Sequence, residues 1–179
     1  EVWSIRRSQL RRMHVGTGLA EASTWALDLS PDGRWLASVI VDKGLAIWDL
    51  IGGSAPTWFE MPGVRMLCFH PDRPELYLTS PRGTVVRSLT TNAPTAPPTP
   101  KLGEATFLPL PTNSSPNWIA LSRNGRTMAL APFFEARTFI TDLVAPQKVV
   151  WLKDLLHLTR VGTQNPGASA TGGGTLALT

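Results

Sequence analysis

The stretch that decides the fold is residues 25–50, which run WALDLSPDGRWLASVIVDKGLAIWDL. Residues 25–29 alternate in the way that a half-buried strand does. Residues 30–33 (SPDG) form a turn, because proline fixes φ, aspartate bonds its own backbone and glycine accepts a positive φ. Two further apolar segments follow, on either side of a turn at residues 42–44, and residues 57–60 supply a fourth. The stretch therefore predicts four short strands joined by tight turns.

The same pattern recurs along the chain with fewer of its marker residues. Residues 64–89 and 118–143 each contain three strand-like segments, and their first turns are HPDR at 70–73 and SRNG at 122–125. Partial copies stand at both ends. The equivalent third-strand positions are separated by 45, 39 and 54 residues, and they are Trp3, Trp48, Arg87 and Thr141. This spacing is typical of β-propellers, so we predict an all-β propeller of four-stranded antiparallel blades, about four blades' worth in total.

The repeat also predicts how the chain is divided. Residues 1–20 are expected to end a preceding blade, and residues 153–179 to begin a following one. Three complete blades lie between them, at residues 21–62, 63–110 and 111–152. The first unit starts at a third strand and the last stops after a second. We expect a segment of a longer propeller, and the alternative is that the two partial ends join to close a four-bladed ring.

The segments SPDGRWLAS (30–38) and VDKGLAIWDL (41–50) resemble the WD-repeat family, whose propeller blades often end in Trp-Asp. Only the first complete unit has that pair, as Trp48-Asp49. The resemblance implies a hydrogen-bonded blade network made by Ser38, Asp42 and Trp48. The Gly-His pair that the family often has is missing from the loop before Trp25, and the second unit has Pro81 at the position of the turn aspartate.

The resemblance also implies a function, namely a scaffold that holds protein or peptide partners with loops on one propeller face. In the third unit the turn between the second and third strands contains Phe133, Phe134, Glu135 and Arg137. Two adjacent phenylalanines do not both point inward easily, so we predict a partner-binding loop here. The alternative is that one ring is buried between blades and the other is half-exposed, as scattered apolar side chains commonly are.

The sequence contains no group of residues that would perform catalysis. The three histidines, His14, His70 and His157, fall in different units, and a single cysteine, Cys68, excludes an internal disulfide or a Cys/His metal motif. His70 occupies the turn position of Ser30 and Ser122, so we predict that it caps a hairpin loop. We therefore predict no enzyme, catalytic residue, cofactor or metal. The alternative is a propeller domain of a hydrolase or lactonase-like enzyme whose catalytic residues lie outside this segment.

Charge and hydropathy restrict the partner further. The net charge is +4, but the arginines are scattered except for Arg6, Arg7, Arg11 and Arg12. That cluster favours a solvated outer strand over a phosphate-binding patch, so we do not expect a nucleic-acid partner. The sequence has neither an 18-residue apolar stretch nor a recognisable signal peptide, and we predict a cytoplasmic scaffold without a membrane contact. By resemblance it would belong to a larger signalling protein of bacterial type.

Two other features complete the prediction. Residues 90–116 contain seven prolines and are expected to form an extended connection between blades, with a short outer strand at 107–110. Five tryptophans lie at or beside strand positions, and we expect most of them to pack between blades. They are Trp25, Trp35, Trp58, Trp118 and Trp151.

Overall fold

The computed structural model of the chain describes residues 2–6, 9–13, 23–92, 98–110, 116–132 and 138–152. Every regular element within these ranges is a β-strand. In chain order the strands are β1 (Val2–Arg6), β2 (Gln9–Met13), β3 (Thr24–Leu29), β4 (Trp35–Ile40), β5 (Gly44–Asp49), β6 (Thr57–Glu60), β7 (Met66–Phe69), β8 (Glu75–Ser80), β9 (Gly83–Thr91), β10 (Pro100–Leu102), β11 (Thr106–Phe107), β12 (Pro116–Leu121), β13 (Thr127–Pro132), β14 (Thr138–Asp142) and β15 (Ala145–Leu152).

The strands form separate antiparallel sheets that follow the chain. Strands β1 and β2 make a hairpin, and β3-β4-β5-β6 make a four-stranded sheet, here called the first blade. The second blade has the order β7-β8-β9-β10, with β11 also paired to β9, and the third blade has the order β12-β13-β14-β15. Apart from β11, each strand of a blade thus pairs with its neighbours in sequence, and the predicted all-β fold of four-stranded blades is confirmed.

The first blade shows how its residues produce this arrangement. Ala26, Val39 and Leu45 are paired across β3, β4 and β5, so their side chains share one face, and each is buried. The turn between β4 and β5 needs glycine at its end. Gly44 has a φ of +107°, and a Cβ there would lie 2.5 Å from the Phe59 carbonyl oxygen. Only a residue without a side chain fits this turn.

Adjacent blades pack face to face through two apolar clusters. The cluster between the first and second blades consists of Ala26, Trp35, Ala37, Val39, Leu45, Ile47, Val64, Leu67, Phe69, Leu76, Leu78, Val85 and Leu89. The cluster between the second and third blades consists of Tyr77, Ile119, Met128, Leu130 and Phe139. The first strands of the three blades, β3, β7 and β12, are neighbours. The first strands of adjacent blades therefore lie side by side, and the fourth strand of each blade lies at the sheet edge farthest from them.

The outer part of the second blade differs from the prediction. The expected strand at 107–110 is the two-residue β11, and β10, which was not predicted, pairs with the same strand β9. Both partners fit because β9 is nine residues long. The proline-rich connection is in part outside the described residues, at 93–97 and 111–115.

The tryptophan prediction is correct for Trp35, which is 6% exposed, but wrong for three others. Trp58 is 44% exposed because it lies with its partner Ala46 on the face of the first blade that points away from the second, and Trp25 is 54% exposed at the irregular position of β3 between Thr24 and Ala26. Trp151 is 40% exposed on the outermost strand of the third blade, where its ring tilts against Phe139 at 5.1 Å between centroids.

Candidate functional site: a cleft between two blades

A cleft of about 260 Å³ opens between the first and second blades, and we call it the turn cleft. Its floor consists of Trp35, Phe69 and Leu89, each less than a tenth exposed. Its walls are the first turns of these two blades. The remaining lining residues are Ser30, Pro31, Asp32, Pro71, Asp72, Arg73, Pro74 and Thr91. An apolar floor with a few polar groups at the rim is the usual composition of a binding site.

The first wall, residues 30–35, is held by bonds within the turn itself. The Ser30 hydroxyl accepts a hydrogen bond from the Trp35 amide at 2.8 Å and donates to Asp32 Oδ1 at 2.5 Å. The Arg34 amide also donates to Asp32 Oδ1, at 3.0 Å. These two donors, first the hydroxyl and then the amide, lower the pKa of Asp32 below its ordinary value. Asp32 is therefore an ionised carboxylate at neutral pH.

The second wall, residues 70–75, is built around a buried histidine. Nδ1 of His70 accepts from the amides of Asp72 and Arg73, both at 3.1 Å, which confirms the predicted capping role. Because Nδ1 is an acceptor, the proton of the neutral ring lies on Nε2, which donates to the Gly125 carbonyl at 3.2 Å. Arg73 Nε is 3.1 Å from the same Nε2, but a protonated Nε2 cannot accept, so this pair is a packing contact. His70 thus ties the second wall to the third blade.

The positive charge in the second wall is balanced within the blade. Arg73 Nη1 lies 3.4 Å from Glu75 Oε2, and the hydroxyl of Tyr77 donates to the same oxygen at 3.3 Å. Burial, together with the neighbouring Glu75 charge, raises the pKa of Tyr77 to about 12. Tyr77 is therefore a neutral hydrogen-bonding group, and the guanidinium of Arg73 is directed to a carboxylate of its own blade.

A second cavity of about 400 Å³ runs along β3, β7 and β12, and we call it the axial groove. In the part of the chain that the structure describes, its one carboxylate is Asp28, which accepts from the Phe69 amide through Oδ2 and from the Leu29 amide through Oδ1, both at 2.8 Å. Asp28 thus links two blades. Burial, with a smaller contribution from Asp28, raises the pKa of the Cys68 thiol. A protonated thiol is a poor nucleophile, so the groove offers apolar surface rather than reactive groups.

The structure brings two of the three predicted network residues together. Ser38 and Trp48 are buried on one face of the first blade, where Ser38 pairs with Ala46. Asp42 is exposed in the next turn, at a φ of +61°. Within the described ranges Trp48 Nε1 has no hydrogen-bond partner. The hydrogen-bonded network therefore stays a prediction.

The other predicted contacts cannot be placed. Phe133, Phe134, Glu135 and Arg137 lie outside the described residues, so the partner-binding loop stays a prediction. Arg6, Arg11 and Arg12 are on the β1–β2 hairpin, whose side chains are not described, and Arg7 is outside the described residues.

The turn cleft itself was not predicted, although the sequence held a signal for it. Pro31-Asp32 and Pro71-Asp72 are the same dipeptide at the same position of consecutive units. Each pair was interpreted as a turn only. In adjacent blades of a propeller, equivalent turns stand side by side, so repeated Pro-Asp pairs indicate a shared cleft.

Two findings apply to the described residues as a set. No three of their His, Cys, Asp or Glu side chains are grouped so that they could hold a metal ion. Within the same ranges there is no helix with the length and apolar character needed to cross a membrane.

Sheets of this order, packed face to face with their first strands adjacent, define a β-propeller. Among solved structures, the chain is similar to the Cps50 (Swd1) β-propeller domain from Myceliophteria thermophila, with a TM-score of 0.56 and 16% sequence identity. The match covers 82% of this chain and 49% of that one, so the chain spans about half the length of its structural neighbour. At this identity the likeness shows the fold alone. No family model matches the sequence, and no curated protein does.

Proposed function

We propose that this chain is a WD-repeat-like scaffold that holds a protein or peptide partner, and that the partner occupies the turn cleft. The observation that carries the proposal is the cleft's construction, a buried apolar floor of Trp35, Phe69 and Leu89 beneath a rim of charged and proline side chains. Aromatic side chains in a partly enclosed depression supply most of the energy of protein recognition.

The walls of the cleft also support this proposal. Each is fixed by hydrogen bonds within the protein, the first through Ser30 and the second through His70. A preformed site loses little conformational entropy on binding, so even a small contact area gives useful affinity. The propeller domain of the similar solved structure is larger than this chain. We propose that this chain likewise acts within a larger, cytoplasmic signalling protein and not as an enzyme.

The test uses a photo-crosslinking amino acid at two neighbouring positions. Thr91 is exposed and lines the cleft, whereas Thr90 is exposed and does not. Successive strand residues point to opposite faces, so the pair is a matched control. In cells that make the natural protein, p-benzoylphenylalanine at Thr91 is expected to give discrete protein adducts that the same group at Thr90 does not give.

An adduct is then checked with purified components. The identified partner should bind the natural protein, and Thr91→Trp should block binding by covering the cleft while Thr90→Trp leaves it unchanged. The proposal fails if the adducts are the same at both positions, or if Thr91→Trp binds as the natural protein does.

A further inference from the structure

The rim of the turn cleft has a charge that is opposite to that of the chain as a whole. The chain carries a net charge of +4, but the acidic groups that line the cleft are the carboxylates of Asp32 and Asp72. Among the described residues, the one cation that lines it is Arg73, which is paired with Glu75 at 3.4 Å. Arg34 does not line the cleft, and its guanidinium lies 3.2 Å from Asp49 Oδ2 and 4.8 Å from the centroid of the Trp35 ring, so its charge is held within the first blade. Asp72 is exposed and forms no ion pair with any described residue.

The size of the cleft limits its occupant. Its volume of about 260 Å³ lies below the range of roughly 300–1,000 Å³ that accommodates drug-sized molecules. One long side chain fills such a space, and a folded element does not enter it. The floor of Trp35, Phe69 and Leu89 favours an apolar stem, and the exposed carboxylate of Asp72 at the mouth favours a cationic end.

Arginine and lysine combine these two properties, because both have an apolar stem and a charged head that stays at the surface. We infer that the turn cleft binds an arginine or lysine side chain that an extended segment of the partner presents, with the stem on Trp35 and the charge beside Asp72. This inference rests on the proposed function, since it names the chemistry of the partner at the same site.

The experiment follows Trp35 directly in the natural protein. Fluorotryptophan is incorporated, and the Trp35 fluorine resonance is identified by its loss in Trp35→Phe. Three small probes are titrated, namely the N-acetyl N-methylamides of arginine, norleucine and glutamate. The arginine probe should shift the Trp35 resonance saturably, norleucine should bind more weakly, and glutamate should not bind.

Charge-matched variants test the role of the rim. Asp72→Asn should weaken binding of the arginine probe about threefold, because it removes the charge of one exposed ion pair while keeping an oxygen acceptor. Asp142→Asn is the control, because Asp142 is exposed in the third blade, lies outside the cleft lining and undergoes the same change in charge. Its affinity for the probe should equal that of the natural protein.

Each other outcome overturns the inference in a way that is separable from the proposed function. Equal binding of norleucine and arginine, or preference for glutamate, would show a cleft that accepts a side chain of different chemistry, and the scaffold proposal would stand. Equal weakening in Asp72→Asn and Asp142→Asn would show a general charge effect only. No shift of Trp35 with any probe would also reject the inference, whereas the crosslinks from Thr91 decide the scaffold proposal independently.

Discussion

The two walls of the turn cleft, residues 30–35 and 70–75, are equivalent turns of neighbouring blades, yet they are stabilised differently. In the first, a serine hydroxyl bonds to its own turn, and residues 122–127 of the third blade repeat this pattern, with Ser122 accepting from the Thr127 amide at 2.9 Å. In the second, His70 replaces the serine and reaches Gly125 of the next blade. One wall is therefore self-contained, and the other depends on a neighbouring blade.

The difference shows that a unit that departs from the repeat pattern can gain contacts that the pattern itself does not make. The second unit lacks the glycine of the SPDG turn, because Arg73 stands where the first has Gly33. The imidazole of His70, however, accepts hydrogen bonds from two amides of its own turn and donates one to a carbonyl of the third blade. The cleft thus has one wall set by local sequence and one set by blade packing, and variants can separate the two contributions.

The largest effect is expected at the third-strand position, where the first blade has Trp48 and the second has Arg87. Trp48 is 4% exposed, so Trp48→Ala should lower the free energy of unfolding by about 3–5 kcal/mol. Arg87→Ala should cost less than about 1 kcal/mol, because Arg87 Nε is buried without a hydrogen-bond partner among the described residues. Urea denaturation measures both. Similar losses of unfolding free energy in the two variants would contradict the expected difference between the first and second blades at the third-strand position.

The next effect concerns two glycines at equivalent turn positions. Gly33 and Gly125 have φ values of +67° and +64°, so alanine is strained at either. A Cβ at Gly33 meets nothing within 4 Å, whereas one at Gly125 would meet the ring of His70. Gly33→Ala should cost about 1–2 kcal/mol and Gly125→Ala about 3 kcal/mol, since overpacking adds to the backbone strain.

A double variant checks the cause of that excess. Adding His70→Ala to Gly125→Ala removes the ring, so the combined loss in urea denaturation should be smaller than the sum of the two single losses. Additive losses, or equal losses for the two glycines, would mean that His70 does not pack on Gly125.

A smaller effect is expected when the second wall is given the residue of the first. His70→Ser restores the serine turn but leaves the Gly125 carbonyl without its donor, so unfolding should become easier by about 1–3 kcal/mol. His70→Asn, which also cannot reach Gly125, should lose a similar amount in the same thermal unfolding assay. If His70→Ser is as stable as the natural protein, the link between blades contributes nothing.

The last effect appears only at alkaline pH. Tyr77 is the one tyrosine of the sequence, and its pKa in the folded chain is about 12 against an ordinary value of about 10. The folded state therefore favours the neutral phenol. The corresponding stability is fully present below pH 10 and is lost as the pH rises from about 10 to about 12. The tyrosinate absorbance, taken as the difference from Tyr77→Phe, should show the high midpoint, and a midpoint near 10 would mean an exposed ring.

The sequence was sufficient for features that depend on neighbouring residues. The turns at 30–33 and 122–125, and the capping by His70, follow from side chains that bond within a few positions. The four-stranded units follow from the spacing of these turns. By contrast, the bond from His70 to Gly125 joins residues 55 positions apart, and no local pattern specifies which blade lies opposite the ring.

The candidate site was harder to predict for the same reason. Trp35 could be assigned to the core from its strand, but the cleft above it exists only because Phe69 and Leu89 come from another blade. The exposure of Trp58 also depends on which face of the first blade is covered. Periodicity identifies the two faces of a strand, and packing between sheets decides which of them is buried.

Amide hydrogen exchange with and without the partner identified by crosslinking at Thr91 tests the proposed site most directly. Binding in the turn cleft predicts slower exchange in residues 30–35 and 70–75 together, with no change in residues 122–127, the equivalent turn of the third blade. Protection of all three turns alike, or protection that omits both walls of the cleft, would contradict a partner held between the first and second blades.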